Sequence, residues 1–155
     1  MERTLVLLKP DAVQRGLLGE IIARFERKGL KIAGMKMAAV SDETWNEHYS
    51  HLSHLPFFGE IKGFMMRSPV VAICLEGVNS VSIVRMMCGP TKSWEAAPGT
   101  IRGDYGLSIQ ANLVHASDSV ETAANEVPRF FNEDELFDYV PLRQEYLYTA
   151  KELGE

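Results

Sequence analysis

Apolar positions recur along the chain at two spacings, and each change of spacing marks an element. Residues 4–8 form a β-rich apolar run that stops at Lys9-Pro10, because the residue before proline is pushed to extended geometry and Pro10 cannot donate to a ladder. Pro10 suits a first helical turn, and Leu17, Leu18, Ile21, Ile22 and Phe25 then fall at helical spacing, with Arg24, Arg27 and Lys28 toward the end and Gly29 as the stop. Residues 30–40 alternate as a half-buried strand, with a phase slip at Gly34 that predicts a bulge. Ser41 caps a short helix carrying Trp45, His48 and Tyr49; residues 51–58 read as loop, and a second short helix over 59–67 pairs with the first as a hairpin. Residues 69–76 are continuously apolar, the pattern of a strand covered on both faces. Asn79 is the cap of the next helix, whose face is Val81, Val84, Met87 and Cys88, with Arg85 pointing elsewhere and Gly89-Pro90 as the end.

Residues 91–104 carry turn chemistry and little periodicity: Lys92-Ser93, Pro98-Gly99 and Arg102-Gly103-Asp104. A long ordered loop inside a compact domain is more often functional than idle. Leu113-Val114 is strand-like, and Ser117-Asp118-Ser119 supplies three N-cap residue types ahead of a helical repeat at Val120, Ala123, Val127 and Phe130. Asn132 with Glu135 resembles a capping box, and from Pro141 onward a polar, aromatic-bearing tail follows, suited to lying on a neighbouring subunit. Without the helical hairpin the order is βαββαβ. That is an α+β, ferredoxin-like arrangement: a four-stranded antiparallel sheet with helices on one face, a helical hairpin insertion and a long loop. One domain over residues 1–155, with 141–155 as its tail, is expected from the length.

Composition narrows the partners. Apolar and charged fractions of 46% and 24% are ordinary for a globular protein, and a net charge of -5 gives no overall attraction for nucleic acid or an anionic membrane. Any anionic ligand must be held by a local basic cluster. Met1-Glu2-Arg3 leads straight into a strand pattern, and the apolar run at 70–75 is far short of a membrane span, so a cytoplasmic protein is expected. Cys74 and Cys88 form no CxxC and read as core thiols.

His115 falls between a strand end and a helix start. Unpaired N–H groups and the helix dipole at such a start favour an anion, and a nucleophilic imidazole beside an anion site points to phosphoryl transfer through a phosphohistidine. Lys9, Arg85, Lys92 and Arg102 all stand near element ends, where a few inward-aimed cations could hold a polyphosphate. No GxxxxGK[ST] or GxGxxG occurs, so phosphates would be gripped by side chains. Phe57 reads equally as a stacking platform for a base or as a hairpin aromatic buried under Phe58. His48, His51 and His54 lie close in sequence but lack the partners of a zinc site, and no protein metal centre is assigned.

These residues stand in a recognisable order: Lys9-Pro10-Asp11-Ala12-Val13-Gln14-Arg15-Gly16, then Tyr49 and Pro56-Phe57-Phe58, then residues 98–104, then Asn112-Leu113-Val114-His115-Ala116-Ser117-Asp118-Ser119. The chain resembles nucleoside diphosphate kinases over almost its whole length. The resemblance implies a ping-pong exchange in which His115 takes the terminal phosphate of a nucleoside triphosphate such as ATP or GTP and passes it to a nucleoside diphosphate. It implies that Lys9 and Asn112 contact the ribose hydroxyls, Lys9 also lying near the transferred group. Tyr49 would position His115 and the phosphates, Arg85, Thr91 and Arg102 would bind the non-reacting phosphates, and Phe57 would stack on the base opposite Ile109. Glu126 would hydrogen-bond the histidine ring with Ser117 supporting it, Mg²⁺ would arrive on the nucleotide phosphates, and the assembly would be a homo-oligomer, hexamer or tetramer.

Neutralising charge spread over phosphate oxygens is what such transfer asks of a protein. The attacking nitrogen must be unprotonated, so an acceptor such as Glu126 or a backbone carbonyl would fix the tautomer. The family usually has Gly where Ala116 stands, which matters if the turn needs a positive φ. It often has Gly at Ala12 and a basic residue at Leu55, and it differs again at Lys92, Ser93 and Trp94, where the loop shapes subunit contacts. Two other readings are a nucleotide-binding module without turnover and, less favoured by the acidic charge, a nucleic-acid-binding protein on the same sheet.

Overall fold

The computed structural model describes residues 1–154; Glu155, the last residue of the expected tail, lies outside them. Four strands, β1 (Glu2–Leu8), β2 (Lys31–Ala38), β3 (Val70–Gly77) and β4 (Val114–Ala116), form one antiparallel sheet in the order β2-β3-β1-β4. β1 is central because both its faces are apolar: Val6 and Leu8 point into one core layer, Leu5 and Leu7 into the other. β3 alternates likewise, with Val71, Ile73 and Leu75 against Val70, Ala72 and Cys74, as its continuous apolar run requires. The bulge lies where the phase slip predicts it, between Ile32 and Gly34.

Helices cover both faces. The first layer holds Ile21 and Phe25 of α2 (Leu18–Lys28) and Val84 and Cys88 of α5 (Ser80–Cys88). The second holds Trp45 of α3 (Asp42–His48), Met65 of α4 (Phe58–Met65), and Val127 and Phe130 of α7 (Val120–Phe130). The ferredoxin-like order is present, but helices on one face only is corrected: the inserted hairpin and the last long helix supply the second layer, which the two-sided β3 demands.

Local details depart from the periodicity at four places. The segment after Lys9 is two helices, α1 (Pro10–Gln14) and α2, broken at Gly16 with φ 67°. Asn79 occupies the cap position of α5 in a left-handed conformation without a side-chain cap bond. The turn-rich segment ends in a helix, α6 (Ile101–Tyr105), whose N-cap Thr100 accepts from the Gly103 N–H at 3.0 Å. His115 sits within β4 rather than after it. The tail, which ends in a short α8 (Ala150–Leu153), packs on its own chain: the Tyr148 hydroxyl accepts from the Val78 N–H at 3.3 Å, and Leu147 lies over Gly29. The Asn132–Glu135 box forms as expected, with the Glu135 carboxylate accepting from the Asn132 N–H at 2.8 Å.

The segment before α6 is pinned through Asp104, which accepts from the Gly99 N–H at 2.8 Å and from Arg24 of α2 at 2.6 Å. Gly103 allows this, since a Cβ there would stand 2.0 Å from the Ala97 carbonyl oxygen, a rigid backbone atom. Gly103→Ala is therefore expected to cost about 1–3 kcal/mol by overpacking, read as a lower midpoint in denaturant unfolding; an unchanged midpoint would show that the segment yields freely.

Candidate functional site

β4 is an edge strand, and its outward carbonyls need donors. Leu113 O and Ser117 N pair with the β1 side, accepting from Lys9 N–H at 2.8 Å and donating to Leu5 O at 3.1 Å. The alternate carbonyls face outward and are taken by guanidinium groups: Arg102 Nη2 donates to Val114 O at 2.6 Å and Arg85 Nη1 to Ala116 O at 3.4 Å. The strand pairing that leaves β4 at the edge thus draws two arginines alongside His115.

Arg102 is only 5% exposed and also donates to Asn112 O at 3.2 Å and Gly89 O at 2.7 Å. Lys9 is buried as well, its ammonium donating to Asn112 Oδ1 at 2.9 Å and to the Gln110 carbonyl. Burial pushes Lys9 down to about 8, with Arg102 adding to the effect and Asp11 opposing it. Asn112 completes the frame by donating to Thr91 O at 3.0 Å and Ile109 O at 2.9 Å. These cations are held in place before any ligand arrives.

Between Asn112 and His115 the backbone is strained. Leu113 has φ 74°, in the left-handed region that an aliphatic side chain rarely adopts, and it is fully buried. The Asp11 carboxylate accepts from the Leu113 N–H at 3.0 Å and holds it there. Ala116 lies in the regular strand, outside the positive-φ positions, so the methyl group that replaces the family's usual glycine adds no backbone strain.

Val114 and Ala116 face the first layer, so His115 projects toward the second, against α3 and α7. Its Nε2 lies 3.1 and 3.2 Å from the two Glu126 oxygens. Ser117 Oγ donates to Glu126 Oε2 at 2.6 Å and accepts from the Leu5 N–H at 3.2 Å. Burial alone would raise the Glu126 carboxyl, but the hydrogen bond and charge of His115 together with the Ser117 hydroxyl hold it at about 2. An ionised carboxylate only accepts, so His115 carries its proton on Nε2; its Nδ1 has no hydrogen-bond partner among the described residues. Burial, and the charge of Glu126, push the Tyr49 hydroxyl above its ordinary range, so it stays protonated.

A cleft of about 830 Å³ opens beside the ring. Of the residues singled out from the sequence, Lys9, Tyr49, Phe57, Arg85, Thr91, Arg102, Ile109, Asn112, His115 and Glu126 line it, and Ser117 stands behind Glu126. Phe57 and Ile109 are 45% and 50% exposed and line the cleft, whereas Phe58 packs into the second layer, so Phe57 is not a hairpin aromatic buried under Phe58. Lys92 is instead paired with Glu95 at 3.2 Å and is not part of the lining. The sequence did not single out Asp11, nor His48 as a neighbour of His115, nor Arg129; the Glu126–Arg129 spacing, one helical turn on the same face, is the signal available for the last. Potential ligand atoms of His48, His115 and Glu126 lie within 4.8 Å of one another, but these groups are already paired among themselves and with their neighbours: Arg129 donates to His48 Nδ1 at 3.2 Å, and His115 Nε2 and Ser117 Oγ both engage Glu126.

A cleft of nucleotide size, walled by prearranged cations and opening on an imidazole whose tautomer is set, defines the chain as a phosphoryl-transfer enzyme of the nucleotide-handling class. Comparison with known proteins narrows this. The nucleoside diphosphate kinase family profile matches residues 2–136. A nucleoside diphosphate kinase of Parabacteroides distasonis is 58% identical over 139 residues, 90% of this chain and 91% of that protein, and one of Archaeoglobus fulgidus is 47% identical over 97% and 100%. Among solved structures, a halophilic nucleoside diphosphate kinase from Halobacterium salinarum in complex with CDP superposes with a TM-score of 0.93 at 42% identity, covering 96% of this chain and 99% of that one. The chain belongs to the nucleoside diphosphate kinase family.

The strain at Leu113 yields a direct check of the frame. Asp11→Ala removes the acceptor for its N–H, and a loss of about 1–3 kcal/mol in unfolding free energy is expected; wild-type stability would mean the carboxylate does not hold that backbone.

Proposed function

We propose that this chain moves the terminal phosphate of a nucleoside triphosphate to a nucleoside diphosphate in two half-reactions through His115. The observation that carries the proposal is the His115–Glu126 hydrogen bond, because it engages Nε2 and leaves Nδ1, on a ring that lines the cleft, without a partner among the described residues. In the first half-reaction the Nδ1 lone pair forms a bond to the γ-phosphorus as the bond to the β,γ-bridging oxygen breaks, and the diphosphate departs with those electrons. In the second, a terminal oxygen of another diphosphate attacks the phosphorus and the N–P bond breaks, restoring the neutral ring. Glu126 stabilises the positive charge that the ring acquires between the two.

Lys9 and Asn112 are proposed to hold the ribose hydroxyls, with Lys9 near the transferred group, and Arg85, Thr91 and Arg102 the remaining phosphates. Tyr49 orients His115 and the phosphates, and Ser117 fixes Glu126. A base resting between Phe57 and Ile109 is gripped by its face rather than its edges, which supports broad base acceptance. Binding of CDP by the Halobacterium salinarum relative agrees with a nucleotide in this cleft. Mg²⁺ fits as an ion carried by the phosphates: Glu126 is engaged, and Asp118 and Glu60 are the exposed carboxylates on the cleft wall, fewer than an all-protein cage needs. When bound, the ion would neutralise phosphate oxygens, and Asp118 is the carboxylate on the cleft wall that would help to hold it.

A hexamer or tetramer is the proposed assembly, and exposed Met35 and Met37 on edge strand β2, with Trp94 and Leu107, are apolar surface that subunit contacts would cover. Among the described residues no helix is long and apolar enough to cross a membrane. A cytoplasmic enzyme without nucleic-acid partners is proposed, in keeping with the acidic charge.

Incubation with γ-labelled ATP and Mg²⁺ is expected to label one acid-labile, base-stable site that His115→Ala abolishes; label persisting in that variant rejects the mechanism. The Lys9 ammonium supplies a second check. It is charged below about pH 8 and neutral above, so kcat/KM for the free enzyme is expected to fall as pH rises through that value. A profile flat to pH 10 would remove Lys9 from phosphate binding.

A further inference from the structure

We infer that Arg129 and His48 form a positioning pair behind His115, in which Arg129 fixes the tautomer of His48 so that the Glu126 carboxylate is left to His115. The inference rests on the phosphohistidine reading given above.

His48, at the end of α3, is 3% exposed and does not line the cleft. Its ring stands edge-on to that of His115, centroids 4.6 Å apart at 78°. Every element packed on it contributes a neighbour: Trp45 and Tyr49 from its own segment, Phe130, Arg129 and Glu126 from α7, and His115 from β4, with His51 the remaining charge-bearing group nearby.

Arg129 Nη1 lies 3.2 Å from His48 Nδ1. A guanidinium has no acceptor, so Arg129 donates and Nδ1 is bare. His48 is thereby neutral with its proton on Nε2, an atom buried without a hydrogen-bond partner. Burial lowers His48, with His115, Arg129 and His51 adding to the effect and the Glu126 charge opposing it, and the balance holds it down at about 3, well away from protonation at neutral pH. Arg129 is steadied in turn by Glu47, whose Oε1 lies 3.1 Å from Nε as an ion pair off the line of the N–H.

The alternative tautomer would carry its proton on Nδ1, 4.0 Å from Glu126 Oε1. That oxygen is the one not taken by Ser117, and His115 Nε2 straddles the carboxylate, 3.2 Å from it and 3.1 Å from Oε2. A His48 Nδ1–H, or an imidazolium, would therefore compete with His115 for the carboxylate, and a shift of Glu126 toward His48 would release the proton position that keeps His115 Nδ1 nucleophilic. Arg129 prevents this by occupying Nδ1 with a donor.

A double-variant cycle tests the pair. Arg129→Met keeps an apolar stem without the donor, and single-turnover phosphorylation of His115 by ATP is expected to fall about tenfold, with ADP affinity within twofold of wild type. His48→Phe keeps the ring but has no nitrogen to compete, so Arg129→Met added to it is expected to have no further effect. Equal losses in both backgrounds, a wild-type rate in Arg129→Met, or a loss confined to ADP affinity would overturn the pair. Should Arg129→Met fail to fold, long-range ¹H–¹⁵N correlations on the wild-type protein decide: a neutral Nε2–H ring at His48 at pH 7 is expected, and an Nδ1–H ring or an imidazolium refutes the inference. Wild-type protein that takes no phosphate at His115 would instead refute the phosphotransfer reading, a result the tautomer measurement does not share.

Discussion

One hydrogen bond, from His115 Nε2 to the Glu126 carboxylate, organises the site, and the fold exists around it in a traceable way. Glu126 is on α7, the helix that follows β4 after a three-residue turn, so strand and helix present their groups to each other at short range. The turn residue Ser117 closes the β1–β4 ladder by donating its N–H to Leu5 O, and its hydroxyl accepts from Leu5 N–H while donating to Glu126. The carboxylate orientation is thereby transmitted from the backbone of the central strand to the imidazole. In a water-poor layer each link is worth more than it would be in solvent, and each broken link costs correspondingly more.

The cations follow the same logic of commitment before binding. Arg102 and Lys9 donate to backbone carbonyls and to Asn112 in the free protein, so ligand binding need not order long flexible side chains. Their placement depends on the left-handed Leu113, which turns the chain between Asn112 and the strand. A strained residue of this sort costs about 1–3 kcal/mol and persists when its surroundings over-determine it. Asp11, Lys9 N–H and Arg102 are those surroundings.

Much of this architecture was legible in the chain. The two-sided β3, the Gly34 bulge and the helical hairpin follow from spacing alone, because burial on a known face constrains every second or every third to fourth residue. The roles of Glu126, Ser117 and Asn112 rested on family resemblance, since nothing in their spacing distinguishes them from ordinary helix and loop residues. The strain at Leu113 could not be read, because a leucine carries no mark of its φ angle. His48 was grouped with His51 and His54, its neighbours in sequence, whereas its contacts are Arg129, Glu126 and His115, each more than sixty residues away, which only the packing of α3 on α7 and β4 brings together. The turn-rich segment concealed α6, whose five residues are too few to show a helical period.

The claim that the Glu126 bond dictates which nitrogen reacts has a direct measurement. ³¹P–¹⁵N coupling in protein phosphorylated by ATP, with ¹⁵N-labelled histidine, is expected to place the phosphorus on Nδ1 of His115. Phosphorus on Nε2, or on another residue, would contradict the account.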